Sequence, residues 1–209
     1  MSSPNQQAGS SALRDGEKVP SPAIRADSHE TVDAVQAARL ARSFVREPEL
    51  IRACLEPGNG APVPNLETIL AAAKQAILER PHYADLHYFA AEAALRHGDL
   101  GDARRLADGA LTLNPQYRDA LVLAGRVALA QEELDDAVRY VRRALHCGAD
   151  YADVHVLLGD LSRARGQAAG AQAAYQRALS LNGSLRAARL ALESVRAGRQ
   201  DGGSDELPA

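Results

Sequence analysis

An all-α solenoid of stacked helix pairs is the fold this 209-residue sequence predicts, and three observations predict it. Tyr-x-Asp recurs at Tyr83–Asp85, Tyr117–Asp119 and Tyr151–Asp153, each copy 34 residues after the one before. Behind each copy, alanines return in register at Ala103, Ala137 and Ala171, then at Ala110, Ala144 and Ala178, the second set always followed by leucine. A further small position, Ala91, Gly125 and Gly159, keeps the same phase. A fixed period between about 20 and 50 residues marks a chain of repeated helical or strand units, each burying its apolar face on its neighbours.

The elements follow in order. Residues 1–27 are rich in Ser, Pro, Gly and Gln, with too little apolar surface to offset chain entropy, and predict a disordered tail. Ser28 can cap a helix with Glu30 in its first turn, and Val32, Val35, Leu40, Phe44 and Val45 form its apolar stripe. The residue before a proline is pushed out of helical geometry, so Pro48 predicts a break near Arg46–Glu47. Pro48 itself suits the first turn of a short helix through Leu55. Breakers crowd residues 56–64, a loop by composition. Asn65 caps a helix over 66–79, with Leu66, Ile69, Leu70, Ala73, Ala76 and Ile77 on one face and Pro81 beyond its end. In the 34-residue frame this is the second helix of a pair whose first half has degenerated.

Three full pairs follow. Their first helices are predicted near 83–97, 117–131 and 151–165, and their second helices near 100–113, 134–147 and 168–181. Gly98 and Gly166 supply left-handed positions inside two pairs. The middle pair has Gln131-Glu132-Glu133 there, which predicts a non-glycine residue in an uncommon conformation. Ala91, Gly125 and Gly159 are small because a second helix crosses there, while Ala107, Val141 and Tyr175 fill the space between repeats. A last helix over 184–197 is expected to turn Leu185, Leu190, Leu192 and Val195 inward and its arginines outward, closing the apolar end. The expected organisation is therefore a tail (1–27), amino-terminal helices with a degenerate first repeat (28–82), three repeats (83–183), a terminal helix (184–198) and a polar tail (199–209).

Charge and composition narrow the function. The 24 basic residues against 27 acidic ones leave a net charge of −3, without the dense basic face that nucleic acid requires. Tryptophan is absent and other aromatics are few, which disfavours base stacking. Cys54 and Cys147 lie far apart with no Cys-x-x-Cys, as expected of reduced thiols in a cytosolic protein. No apolar run reaches 18 residues, so no membrane span is expected, and the amino terminus lacks a signal-peptide pattern, which predicts the cytoplasm. The six histidines form no His-Glu-x-x-His, and His82 and His87 are five apart, off a shared helical face, so no metal is expected. Cys147 adjoins His146 in sequence without the arrangement of nucleophile and base, and no phosphate loop or nucleophile elbow is present. Neither a cofactor nor catalysis is expected.

With Leu123-Ala124-Gly125, Leu157-Leu158-Gly159, the alanine ladder and Leu113-Asn114-Pro115 in phase, residues 83–185 resemble three tetratricopeptide repeats. Counting the degenerate pair and the terminal helix, the likeness spans roughly residues 48–197. It departs from the family where His87, Leu121 and His155 stand for a larger residue, and where a closing proline is present only at Pro115 and, before the array, Pro81. The resemblance implies a right-handed α-solenoid whose first helices line a concave groove that binds a peptide or partner protein, as a scaffold or adaptor does. Carried over position by position, the groove would present Asp85, Tyr88, Glu92, Leu95 and Arg96, then Asp119, Val122, Arg126 and Leu129, then Asp153, Val156, Asp160 and Arg163.

Glu92, Arg126 and Asp160 alternate in charge beside an apolar strip of Tyr88, Val122 and Val156, which suits an extended or helical peptide of mixed character. The alternative is that these charges pair with each other across repeats. Family members that clamp the carboxylate tail of chaperones use Lys and Asn in the groove. Acids and Arg stand here instead, so that ligand is not expected. The chain also resembles the chaperones of type III secretion translocators, with helices ahead of three repeats. In that reading residues 28–60 would pair two chains as a homodimer.

Overall fold

The computed structural model describes residues 27–56 and 65–201. Ten helices and no strand make up these residues: α1 (Asp27–Arg46), α2 (Glu49–Leu55), α3 (Leu66–Glu79), α4 (Ala84–His97), α5 (Leu100–Leu113), α6 (Arg118–Ala130), α7 (Leu134–His146), α8 (Ala152–Ala164), α9 (Ala168–Leu181) and α10 (Arg186–Asp201). The expected disordered tails lie almost wholly outside the described residues, as does the loop over 57–64.

Three pairs stack in phase: α4 with α5, α6 with α7, and α8 with α9. The alanine ladder sits at the crossings, where Ala103, Ala137, Ala171, Ala110, Ala144 and Ala178 are all fully buried. Helix axes approach within about 8–10 Å only where the contact residues are small. Within the pairs, facing residues are complementary in size. Gly125 of α6 faces Val141 of α7, and Gly159 of α8 faces Tyr175 of α9, whose ring is fully buried.

Turn chemistry separates the elements. Asn65 Oδ1 accepts from the Glu67 N–H at 3.1 Å and caps α3, and Asp99 Oδ1 accepts from Asp102 N–H at 3.0 Å at the start of α5. Asn114 and Asn182, one at each of two junctions between repeats, accept from the N–H two residues on. Inside the pairs, Gly98 (φ 88°) and Gly166 (φ 70°) are left-handed, and Glu132 takes the same conformation (φ 63°) in the middle pair. A single left-handed residue lets the carbonyls of the last turn be satisfied while the chain reverses, and only glycine does this without steric cost.

The first helices of successive pairs touch, α4 on α6 and α6 on α8, whereas the backbones of the second helices stand farther apart. Curvature follows: the first helices form the inner wall. Long side chains bridge the outer gap. Arg104 of α5 reaches Glu133 at 2.7 Å and Asp136 at 3.0 Å, with its guanidinium over the Tyr140 ring, and Lys74 of α3 pairs with Asp102 of α5.

At the amino-terminal end α1 stands as the first helix beside α3: it packs along α3 and buries Ala37, Ala41 and Phe44. The short helix α2 is inserted between the two members of that pair. Val35, expected on the apolar stripe of α1, is instead 55% exposed. At the other end α10 buries Ala188, Leu192 and Val195, spaced as one helical face, against α9, and leaves Leu190 54% exposed. Leu190 lies two residues from both Ala188 and Leu192, on the opposite side of the helix, so it does not turn inward as expected.

Candidate functional site

The inner wall begins at three helix amino termini. Tyr83, Tyr117 and Tyr151 are the capping residues of α4, α6 and α8, all with extended backbone. Asp85, Asp119 and Asp153 fall in the first turns, where an anion meets the positive end of the helix dipole. That accounts for the repeated Tyr-x-Asp as a folding signal. It also lines up three carboxylates at one edge of the wall.

The inserted α2 changes the first repeat. It lies against α4 and the amino-terminal pair, with Ile51 fully buried. Arg52 Nη2 donates to Tyr88 Oη at 3.1 Å, and the same guanidinium stacks 5.6 Å from the Phe89 ring centre. Arg96 closes the other end, donating to the Leu55 carbonyl and the Glu56 carboxylate, both at 2.9 Å. Tyr88 and Glu92 are each left only 7% exposed. These two positions, expected as open groove, are covered by the chain's own helix. The 34-residue period could not reveal this, because α2 stands outside the repeat and has no counterpart in the other copies.

Burial sets the chemistry of the covered positions. Tyr88 packs against Tyr117 with ring centres 5.2 Å apart and ring planes tilted by 45°. Removal from water pushes the Tyr88 hydroxyl above its ordinary pKa, with Glu92 adding to the effect. Tyr117 is pushed higher still, again by burial first and then by Asp85 beside it. Both phenols stay protonated. Glu92 Oε1 receives Arg96 at 3.1 Å, while Glu92 Oε2 is buried without a hydrogen-bond partner. A buried carboxylate oxygen without a donor is costly.

The other expected groove residues divide. In the second repeat Asp119 and Arg126 are exposed, and Val122 and Leu129 are half-buried. Arg126 has no ion pair or hydrogen bond among the described residues. In the third repeat Asp153 is exposed, but Asp160 accepts a hydrogen bond from Tyr175 Oη at 2.7 Å and lies 3.8 Å from Arg163. The Tyr175 hydroxyl is pushed up to about 12 by burial, then by Asp160. Val156 packs toward the Tyr175 cluster. Leu95 is half-buried behind Arg96. The alternating charges therefore do not form one free line. Glu92 and Asp160 pair within their own repeats, and neither pairs with Arg126.

Two adjoining clefts remain. One, of about 620 Å³, opens between α2 and the amino termini of α4 and α6, with Tyr83, Asp85, Tyr117 and Asp119 on one side and Glu49 and Arg52 on the other. The second, of about 430 Å³, runs along α6 toward α8 and is lined by Glu92, Asp119, Val122, Arg126, Tyr151 and Asp153. Tyr88, Arg52 and Asp119 border both. Sequence reasoning missed Arg46, Glu49 and Arg52, which α2 and its approach bring to the wall.

No group of three or more His, Cys, Asp or Glu suited to a metal occurs among the described residues. His87 donates from Nε2 to the Pro81 carbonyl at 2.9 Å and packs against Gly109, a structural role. Cys54 and Cys147 are free and half-buried. No described helix is long and apolar enough to cross a membrane.

Residues 94–161 match the tetratricopeptide repeat family. Among solved structures, MamA (residues 41 to the end) from Desulfovibrio magneticus RS-1 superposes with a TM-score of 0.64 at 21% identity, over 79% of this chain and 86% of that one. PilF of Pseudomonas aeruginosa gives 0.64 at 18% identity, over 79% and 71%. YrrB, described as a tetratricopeptide-repeat protein with an unusual peptide-binding site, gives 0.56 at 26% identity, over 61% and 66%. No curated protein sequence matches the chain.

Proposed function

We propose that this chain, whose residues 94–161 match the tetratricopeptide repeat family, is a non-catalytic interaction module that holds a peptide or partner protein on the inner wall of α4, α6 and α8, as a scaffold or adaptor. The observation that carries this reading is the cleft along α6. There Val122 is half-buried, Asp119, Arg126 and Asp153 are exposed, and Arg126 is without a partner among the described residues. An unpaired guanidinium beside an apolar side chain, on a wall fixed by stacked helices, offers a ligand both orientation and burial. The peptide-binding site described for YrrB supports the same use of the fold. The residues that carry binding would be Asp119, Val122, Arg126, Leu129 and Asp153, with Asp85 at the mouth. Tyr88 and Glu92 would form the floor of the clefts beside α2, Leu95 and Arg96 would act through α2, and Val156, Asp160 and Arg163 through the packing of the third repeat. The two free thiols fit a reducing compartment such as the cytoplasm.

The test is selection of peptides from a displayed random library on the full chain. Binders should be lost when Arg126→Glu or Val122→Asp is introduced, and kept by Arg142→Glu on the outer helix α7. Binders indifferent to the two inner-wall changes would refute the assignment.

A further inference from the structure

Acids in the first turn of a helix are what the dipole favours, so Asp85, Asp119 and Asp153 say little by themselves. Two further features point past folding. Across the two clefts, six carboxylates (Glu47, Glu49, Asp85, Glu92, Asp119 and Asp153) face three guanidinium groups. One of those three, Arg52, is already held by Tyr88 Oη and the Phe89 ring. More telling is Glu92, which is 7% exposed, lines the second cleft, and keeps Oε2 buried without a hydrogen-bond donor. A donor arriving from a ligand would satisfy it. The first cleft is lined by Tyr88 and Tyr117, and by Tyr83, whose ring already carries Arg80 at 5.3 Å, and the negative face of an aromatic ring attracts a cation within about 6 Å.

Resting on the groove reading above, we infer that the joined clefts select a peptide segment carrying basic side chains. An arginine or lysine is seated between Asp85, Asp119 and Glu92 against the tyrosine rings. The α2 helix forms the opposite wall of this seat, so the selectivity belongs to this chain's insertion rather than to the repeats alone. Arg126, farther along the second cleft, leaves room for an acidic residue of the same segment but not at the seat. The partner is thus a basic or basic–acidic polypeptide segment, and an acidic tail is rejected.

The experiment uses the full chain and three labelled dodecapeptides, in which alternate alanines are replaced by Arg, Glu or Gln, read by fluorescence anisotropy. The Arg peptide should bind and the Glu peptide should not. Asp119→Asn and Asp85→Asn should each weaken the Arg peptide about fivefold, the effect of one partly exposed ion pair. Asp119→Lys should abolish its binding, and raising the salt from 0.05 to 0.5 M should weaken its binding to the wild-type chain. Circular dichroism guards against unfolding, since both aspartates are exposed. Equal or tighter binding of the Glu peptide, or an Arg peptide indifferent to Asp119→Lys, overturns the inference. If peptides selected by display still depend on Arg126 and Val122 while the Arg peptide fails to bind, the groove reading survives and the basic seat does not. If neither class responds to inner-wall changes, both fall.

Discussion

Gly159 on α8 faces Tyr175 on α9 so closely that one methyl group tests the packing of the whole array. A Cβ built at Gly159 would lie 2.5, 2.6 and 2.8 Å from three atoms of the Tyr175 ring. The ring cannot swing aside: it is fully buried and its hydroxyl is held by Asp160. Overpacking of this kind costs about 1–3 kcal/mol, and contact this short with a fixed ring belongs at the upper end. Alanine recovers about 1 kcal/mol through its helix propensity. The net loss for Gly159→Ala is therefore about 2 kcal/mol, a fall of about 4–8 °C in Tm for a chain of this size. Tyr175→Val should relieve the clash. The double variant should then be more stable than the sum of the two single losses by about 1 kcal/mol or more. Gly101→Ala is the control: the nearest neighbour of its new Cβ is Asp99 Oδ1 at 3.8 Å, and it should gain about 0.5–1 kcal/mol. Thermal melts of the wild type and the four variants decide the matter. A Gly159→Ala protein that melts at or above the wild type would refute the reasoning.

Two further outcomes are expected. Glu132→Gly relieves a left-handed non-glycine residue at φ 63° where both neighbouring repeats use glycine, and should raise stability by about 1 kcal/mol in a urea titration. Unchanged stability would mean that the turn is not strained. The Asp102 carboxyl is held below its ordinary pKa, first by the hydrogen bond from Lys74, which joins α3 to α5, and then by Arg105 on its own helix. A depressed folded-state pKa stabilises above the unfolded value of about 3.9 and loses that contribution as pH falls through the folded value. Asp102→Asn should therefore lower Tm at pH 7 and leave it closer to the wild type near pH 2.5. An equal deficit at both values would show that the ion pair is not the cause.

What could be read from the residues was whatever the 34-residue period carries. Ala103, Ala137 and Ala171 locate the crossings because only small side chains let helices approach, and that requirement repeats with the fold. The unusual turn at Glu132 was legible by the same comparison, since glycine precedes and follows it in phase. Even the pairing of Gly159 with Tyr175 is foreshadowed, a small residue standing in phase wherever the facing one is larger. The covered state of Tyr88 and Glu92 was not legible, because it depends on where an insertion outside the period lands. Pro48 announces that α2 starts, but nothing local says which surface Ile51 and Arg52 will find. Asp160 was read as a groove charge because its frame position points inward. The tyrosine that binds it is unique to the third repeat. Leu190 shows the opposite limit: an apolar residue on a terminal helix has no further repeat to bury it.

The central claim is that α4, α6 and α8 together hold a partner, with the first repeat walled by α2. Amide hydrogen exchange of the full chain, with and without a display-selected peptide, tests it most directly, because a bound segment slows exchange in the helices it covers. Slowed exchange confined to α2, the start of α4, α6 and α8, with α5, α7 and α9 unchanged, is the predicted result. Slowing centred on the outer helices, with the inner wall unaffected, would contradict it.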